Sequence, residues 1–287
     1  MQTEVKRELQ NRIQRADSDT SITAAGSYDA RQINEALRGQ RFFRALVVEK
    51  IDSTNTALFE LGRAGEPEGL VLLAEEQSAG RGRMGRSWTS PKGKSILMSV
   101  LARARVSSED AGLVNAAAGL AVVDAVRDVS SLDTKLKWPN DIVFEGKKLG
   151  GILTERGSDR EGRPFFVIGI GLNVEWRPED FPPDIAETAT ALSIVAGSPP
   201  QRRALAISIV RKLGYWLAEL ESGPRDLAAS YRRAVSTIGL RVRVKLLQDE
   251  LEGVAVDIDE RGDLVVALDS GERKVIVAGD VREVRAA

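Results

Sequence analysis

Apolar positions follow two different periods along this chain, and the change between them divides it. Leu46-Val47-Val48 is β-rich and Phe165 to Val174 reads as a strand, while Gly69 to Ala74 and Ile96 to Leu101 are continuous apolar runs, the pattern of buried strands. After the first of these, Ser53 is placed to cap a helix carrying Ala57, Leu58 and Leu61 on one face, stopped by Gly62 and Gly65. Gly112 to Val126 has helical spacing and a small-residue face suited to close packing on a sheet. Leu205 to Leu220 predicts a helix with Leu213, Trp216, Leu217 and Leu220 inward. From Arg241 the pattern becomes short alternation: Val242-Arg-Val-Lys, Gly253-Val-Ala-Val, Leu264-Val-Val-Ala and Lys274-Val-Ile-Val, parted by turn residues. Such spacing predicts a small β-barrel. The expected division is an extension over residues 1–31, a main domain over 32–237 and a β module over 238–287. In the extension, Val5, Leu9 and Ile13 form a narrow helical stripe, and polar and small residues from Asp17 to Ser27 predict disorder.

Composition changes this picture mainly by what is missing. The chain has 287 residues, no Cys and no His. That excludes disulfides, thiolate nucleophiles, imidazole bases, Ser-His-Asp triads and Cys- or His-ligated metals. Acid–base chemistry must then fall to carboxylates, Lys, Tyr or the substrate. A net charge of −1 supplies no global field for nucleic acid. The first residues lack an apolar core of a leader, and the stretch Ala111 to Val123 is too short to span a bilayer. The expectation is a cytoplasmic protein with no membrane partner.

The densest chemical signal is Gln77-Ser-Ala-Gly80-Arg81-Gly82-Arg83-Met84-Gly85-Arg86-Ser-Trp88. Its G-x-G-x-x-G spacing does not make a dinucleotide site, because Trp88, Pro91 and Gly93 follow where a helix is needed. Gly93-Lys94-Ser95 does not end a P-loop, because Trp88 stands where its first glycine belongs. What remains is a loop that brings backbone close to a ligand, with three arginines whose planar donors suit carboxylate and phosphate. Its plainer alternative is a solvated basic turn.

A second signal is the run from Lys137-Trp138-Pro139-Asn140-Asp141 to Lys148-Leu-Gly150-Gly151. Glu145-Gly146 predicts a two-residue hairpin turn. Pairing Phe144 with Lys147 sets Val143 opposite Lys148 and Asp141 opposite Gly150. Asp141 and Lys148 then share one face as a diagonal pair, about 7–8 Å apart by backbone, with open space over Gly150. A surface ion pair is the alternative reading. In Gly169-Ile-Gly171-Leu-Asn173, two glycines on one strand face mark either a close ligand approach or tight packing on a helix.

These segments together resemble the biotin protein ligase (biotin–acetyl-CoA-carboxylase ligase) family, in the type without an N-terminal DNA-binding domain. Ser53-Thr54-Asn55, Gln77 with Gly80-Arg81-Gly82-Arg83, Lys137-Trp-Pro-Asn-Asp141, Lys148-Leu-Gly-Gly-Ile and Gly169-Ile-Gly-Leu-Asn173 occur in the family's order. The resemblance implies an α+β fold: a mixed-sheet catalytic core like that of class II aminoacyl-tRNA synthetases, followed by a small SH3-like β-barrel. It implies a ligase that joins biotin to ATP as biotinyl-5′-AMP, with Mg²⁺ carried by ATP and no protein metal site. The biotinyl group then passes to a lysine of a biotin carboxyl carrier protein domain. By the same resemblance, Lys148, Arg83, Asp141 and Lys137 are the catalytic candidates. Lys148 bridges carboxylate and phosphate, and Asp141 orients and deprotonates the carrier lysine. Ser53, Thr54, Asn55 and Gln77 hold the ureido head, and Gly80, Arg81, Gly82, Arg83, Lys148, Gly150 and Gly151 complete the biotin pocket. Arg81, Arg83, Arg86, Trp88, Asn140, Lys148 and Asn173 face the adenylate, with Trp88 against adenine. Met84 departs from the family, many members of which carry Arg there.

A lipoate- or octanoate-handling ligase shares the carboxylate-activating logic; the Gly-Arg-Gly-Arg loop and Lys-Trp-Pro-Asn-Asp favour biotin. A DNA-binding repressor is disfavoured, because residues 1–41 carry cations and anions in near-equal number. A homodimer stays open, as does pairing of a carrier with an exposed edge near the Asp141 hairpin. The Gly/Arg loop is expected to be mobile when empty.

Overall fold

The computed structural model describes residues 28–246 and 249–284; the predicted stripe at Val5, Leu9 and Ile13 lies outside them. The described chain runs α1 (Ala30–Ala36), β1 (Arg44–Ile51), α2 (Thr54–Arg63), β2 (Leu70–Gln77), β3 (Ser95–Ala102), α3 (Leu113–Ser130), β4 (Lys135–Lys137), β5 (Asp141–Phe144), β6 (Lys147–Ser158) and β7 (Pro164–Asn173). It continues through a short helix α4 (Leu192–Val195), α5 (Arg202–Ser222), α6 (Pro224–Ala234) and the strands β8 (Arg241–Lys245), β9 (Glu250–Ile258), β10 (Leu264–Leu268), β11 (Arg273–Ile276) and β12 (Asp280–Glu283).

Seven strands form one mixed sheet in the order β1-β2-β3-β7-β6-β5-β4, with only β1 and β2 parallel. The apolar runs are explained by burial on both faces. Leu70, Leu72, Ala74, Leu97, Leu101, Phe165 and Val167 pack with α2 on one side. Their alternates Val71, Leu73, Ile96, Met98, Val100, Phe166, Ile168 and Ile170 pack with α3 and α5 on the other. The small-residue face of α3 is buried at Ala116, Ala117, Gly119, Ala121 and Ala125, which lets it lie close to the sheet and α5. Of the predicted inward face of α5, Leu213, Leu217 and Leu220 are buried; Trp216 is half-buried and donates its indole N–H to Asp124 at 2.9 Å.

The C-terminal strands form a five-stranded antiparallel sheet, β11-β10-β9-β8-β12. Its inward residues, among them Val242, Val244, Ala255, Leu264 and Val266, join the main core. Several contacts tie this module to the main domain. Trp138 Nε1 donates to the carbonyl of Gly262 at 3.0 Å, and Arg86 pairs with Asp280 at 3.0 Å.

Several expectations need correction. Residues 28–31 are not part of a loose extension: Tyr28 and Ala30 are fully buried and Asp29 caps α1. Helix α2 passes through Gly62 and ends at Arg63, with Gly65 at φ 96° just beyond it; Gly62 leaves room for the Phe165 ring, which a Cβ would meet at 2.6 Å. The Asp141 hairpin does not present an open edge. β5 lies between β4 and β6, and β4 is bridged on its outer side by Val235, with Ser236 N–H donating to the Leu136 carbonyl at 2.8 Å. On the opposite edge, the Asn34 amide both accepts from Ala45 N–H (2.6 Å) and donates to its carbonyl (3.1 Å), standing in for a strand. Among the described residues, no helix is long and apolar enough to cross a membrane.

Candidate active site

The start of α2, the C-terminal end of β2 and the loop after it, the β4–β5 turn, β6 and β7 surround one cavity of about 690 Å³, the size of a small-molecule site. Two kinds of chemistry divide it.

At one end are hydroxyls and amides. Ser53 caps α2, accepting from Thr56 N–H at 3.4 Å. This cap sets Thr54 and Asn55 in the first turn, buried and facing the sheet. Gln77 Oε1 accepts from Thr54 N–H at 2.7 Å and from its hydroxyl at 3.0 Å. Ser99 Oγ on β3 lies 2.7 Å from Thr54 Oγ1 and 2.6 Å from Asn55 Oδ1. Asn55 Nδ2 donates to the Leu153 carbonyl and to Glu155, both at 3.0 Å. The Asn55 side chain occupies the space that a Cβ on Gly169 would need. That glycine is therefore required for packing a site residue onto the strand.

At the other end are cations and an indole. The Gly/Arg loop is a laced reverse turn. Gly82 N–H donates to Arg86 O (2.7 Å) and Trp88 N–H to Gly80 O (2.9 Å), with an Arg81–Ser87 bridge between them. Met84 and Gly85 both take positive φ (55° and 73°) to turn the chain. Gly85, in the left-handed region, thus serves the turn itself. Arg81 makes a bidentate pair with Glu155 (2.7 and 3.1 Å). Arg83 donates to the neutral Asn140 Oδ1 at 3.3 Å. Burial, with repulsion from Arg86 added, lowers the proton affinity of the Arg83 guanidinium, and Asp141 only partly offsets this. An arginine stays protonated at neutral pH despite such a shift, so Arg83 is a desolvated cation short of an anion. The Trp88 ring lies on Gly171, where a Cβ would sit 2.5 Å from it. Its Nε1 is buried with no hydrogen-bond partner among the described residues.

Lys148 stands between the two ends. Its Nζ pairs with Asp141 at 2.6 Å and lies 5.7 Å from the Trp88 ring centre. The hairpin turn has Glu145 and Gly146 at φ 49° and 77°, as a two-residue turn of this type demands. Phe144 opposes Lys147 and Val143 opposes Lys148 as expected. A bulge then intervenes, so Asp141 faces Gly151 and not Gly150. Gly150 has no open space, since its Cβ would meet the Gly171 carbonyl at 2.6 Å. Gly80 likewise closes against the Trp88 carbonyl. Among the predicted site residues, these two glycines are outside the cavity wall; Lys137, Asp141, Gly151 and Asn173 belong to it. Asn140 is held by the Ile152 carbonyl at 2.8 Å, and Asn173 by the Thr190 carbonyl at 3.1 Å.

Pattern reasoning misses two further walls. Residues 182–189, including Pro182, Ile185 and Thr188, close one side. They are clamped by the backbone of Lys148, whose N–H donates to Thr188 O (2.7 Å) and whose carbonyl accepts from Thr190 N–H (2.8 Å). Asp280 to Glu283 of β12 close another. Neither segment carries a local signal, because their place is set by contacts distant in sequence.

Comparison with known proteins matches residues 47–174 to the biotin/lipoate A/B protein ligase family and residues 237–282 to the biotin protein ligase C terminal domain. The biotin–[acetyl-CoA-carboxylase] ligase of Mycobacterium tuberculosis is 41% identical over 246 residues, covering 83% of this chain and 88% of that protein. The chain belongs to the biotin protein ligase family. The bifunctional ligase/repressor BirA of Bacillus subtilis is 30% identical over 263 residues, 90% of this chain and 80% of that one. Among solved structures, a mutant form of the Aquifex aeolicus biotin protein ligase, in complex with biotin, superposes with a TM-score of 0.73 at 26% identity. It covers 84% of this chain and 98% of that one. The Leishmania major biotin protein ligase in complex with biotinyl-5-AMP gives 0.58 at 28% identity, covering 82% of this chain and 98% of that one. As in other members of the biotin protein ligase family, the fold is a mixed-sheet core with a C-terminal antiparallel β module.

Proposed function

We propose that this ligase condenses biotin with ATP and transfers the biotinyl group to a lysine of a carboxylase's carrier domain, with the cavity as the site of both steps. The observation that carries this reading is the pairing of opposites in one cavity. A hydroxyl–amide cluster lies at one end, where Thr54, Asn55 and Gln77 line the cavity with the buried Ser99 behind them. The cations lie at the other: Arg83, bonded to a neutral amide, and Lys148, held by an Asp141 carboxylate that a ligand can replace. An uncharged ureido ring suits the first and a carboxylate meeting a phosphate suits the second.

In the first step a biotin carboxylate oxygen attacks the α-phosphorus of ATP, and the P–O bond to pyrophosphate breaks. Two anions must approach, so fixed cations lower the barrier. Lys148 reaches the junction by leaving Asp141, and Arg83 supplies the second charge. Trp88 gives a flat apolar wall, and Asn140 and Asn173 offer amide donors to phosphate. Mg²⁺ enters as part of the substrate Mg-ATP. In the second step the carrier amine attacks the acyl carbon, the C–O bond to AMP breaks and an amide forms. The amine must be neutral to attack. Asp141, released when Lys148 turns to the adenylate, accepts its proton, and Lys137 beside it in the ladder balances the phosphate charge. A cytoplasmic setting, where ATP is supplied, fits this reading.

ATP–pyrophosphate exchange with Mg²⁺, run with biotin, lipoate and octanoate in parallel, tests the reading. Exchange driven by biotin alone is expected. Exchange with lipoate or octanoate would reassign the substrate, and none with any of them would overturn the activity.

A further inference from the structure

We propose that Glu155 is a positioning residue for Arg81, and that it couples the polar end of the cavity to the Gly/Arg loop. The inference rests on the cavity being the biotin site. Glu155 lies on β6, at a position that no sequence motif marks. Its two oxygens accept three hydrogen bonds. Oε1 takes Arg81 Nη2 at 2.7 Å; Oε2 takes Arg81 Nη1 at 3.1 Å and Asn55 Nδ2 at 3.0 Å. Asn55 in turn meets Ser99, Ser99 meets Thr54, and Thr54 donates to Gln77. Six side chains from four separate elements and one loop thus form a continuous relay from Gln77 to Arg81.

The relay explains why a carboxylate is needed at position 155. Only a planar anion accepts both prongs of a guanidinium while keeping a lone pair for the Asn55 amide. Arg81 is half-exposed and long, so unpaired it would spread over many rotamers. Arg81 also forms the root of the turn through its bridge to Ser87. Fixing its side chain therefore fixes the base from which Arg83, Arg86 and Trp88 project. The arrangement has a built-in cost: Glu155 is an anion just behind the lining residues Asn55 and Arg81 of a site for an anionic substrate, and Arg81 neutralises it. Loss of Arg81 leaves that charge uncompensated.

The test is a double-mutant cycle on biotin-dependent pyrophosphate exchange, with Glu155→Gln, Arg81→Ala and the pair together. Glu155→Gln keeps the shape and the acceptor for Asn55. It is expected to raise the biotin KM about tenfold with kcat within twofold, and to speed proteolysis within residues 81–88. In the Arg81→Ala background the same change is expected to cost nothing or to improve KM, because Glu155 acts through Arg81. An equal cost in both backgrounds, or an unchanged KM in the single variant, would overturn the proposal while leaving the activity in place. Absence of biotin-dependent exchange in the unaltered enzyme would overturn both. Should Glu155→Gln fail to fold, Ser99→Ala at the far side of Asn55 carries the test: a roughly threefold rise in KM that vanishes without Arg81 is expected, and a rise that persists counts against the relay.

Discussion

At the scale of single residues, the site is built from side chains that are each short of something. Lys148 holds Asp141 at 2.6 Å, a half-exposed pair of modest strength that a ligand's carboxylate or phosphate can replace. Lys148→Ala should lower biotin-dependent pyrophosphate exchange about 10²–10³-fold, the usual cost of deleting one charge-stabilising donor; near-normal exchange would remove Lys148 from the chemistry. Arg83, desolvated and, among the described residues, hydrogen-bonded to a neutral amide, should hold the adenylate more than it helps make it. Arg83→Gly is expected to release biotinyl-AMP into solution, seen as labelling of lysines on an added bystander protein. Labelling confined to the carrier would contradict that role. Gly171→Ala would drive a methyl group to 2.5 Å from the Trp88 ring. The ring must move, and ATP KM should rise with little change in folding stability.

At the scale of elements, the sequence was most legible where one local rule decided the outcome. Ser53 caps α2, and Glu145-Gly146 turns the hairpin because both positions need positive φ. It was least legible where a distant partner intervened. The bulge at Leu149 moves Asp141 from Gly150 to Gly151, yet Lys148 stays on the face of Asp141 because the bulge lies beyond it. Gly62 shows the same contest quantitatively. Helix propensity alone favours Ala over Gly by about 1 kcal/mol. A Cβ there would lie 2.6 Å from the buried Phe165 ring, and overpacking costs about 1–3 kcal/mol. Gly62→Ala should therefore destabilise, measured as a lower urea midpoint; a higher midpoint would mean that Phe165 yields freely.

At the scale of the whole molecule, the β module docks through the turn that joins β9 to β10. This turn carries Gly262, which receives Trp138, and Asp263, whose carboxyl is pushed up to about 6 by burial and by repulsion from Asp259, against a smaller pull from Arg261. Between its ordinary value of 3.8 and 6 the folded chain holds this proton more tightly than the unfolded chain. Stability contributed here is therefore present at pH 4 and lost as pH rises through 6. Asp263→Asn should match the unaltered protein near pH 4 and exceed it at pH 7, by about 1–2 kcal/mol after discounting for solvent screening. Thermal melting across that range checks this, and parallel curves for the two proteins would refute it. Because Arg86 also pairs with Asp280, loosening the module should affect the loop as well as the melting point.

The sequence by itself determined the strands covered on both faces, the cap of α2, the hairpin turn, the change to short alternating strands and the chemistry allowed to a chain without Cys or His. Periodicity, turn conformation and side-chain reactivity are local properties, readable from neighbours in the chain. Only the tertiary structure decided that Tyr28 belongs to the core, that Gly169 and Gly171 make room for Asn55 and Trp88, that residues 182–189 and β12 wall the cavity, and that Glu155 meets Arg81. Each of these joins positions far apart in the chain, and their contacts exist only once the sheet order β1-β2-β3-β7-β6-β5-β4 brings them within van der Waals or hydrogen-bonding reach.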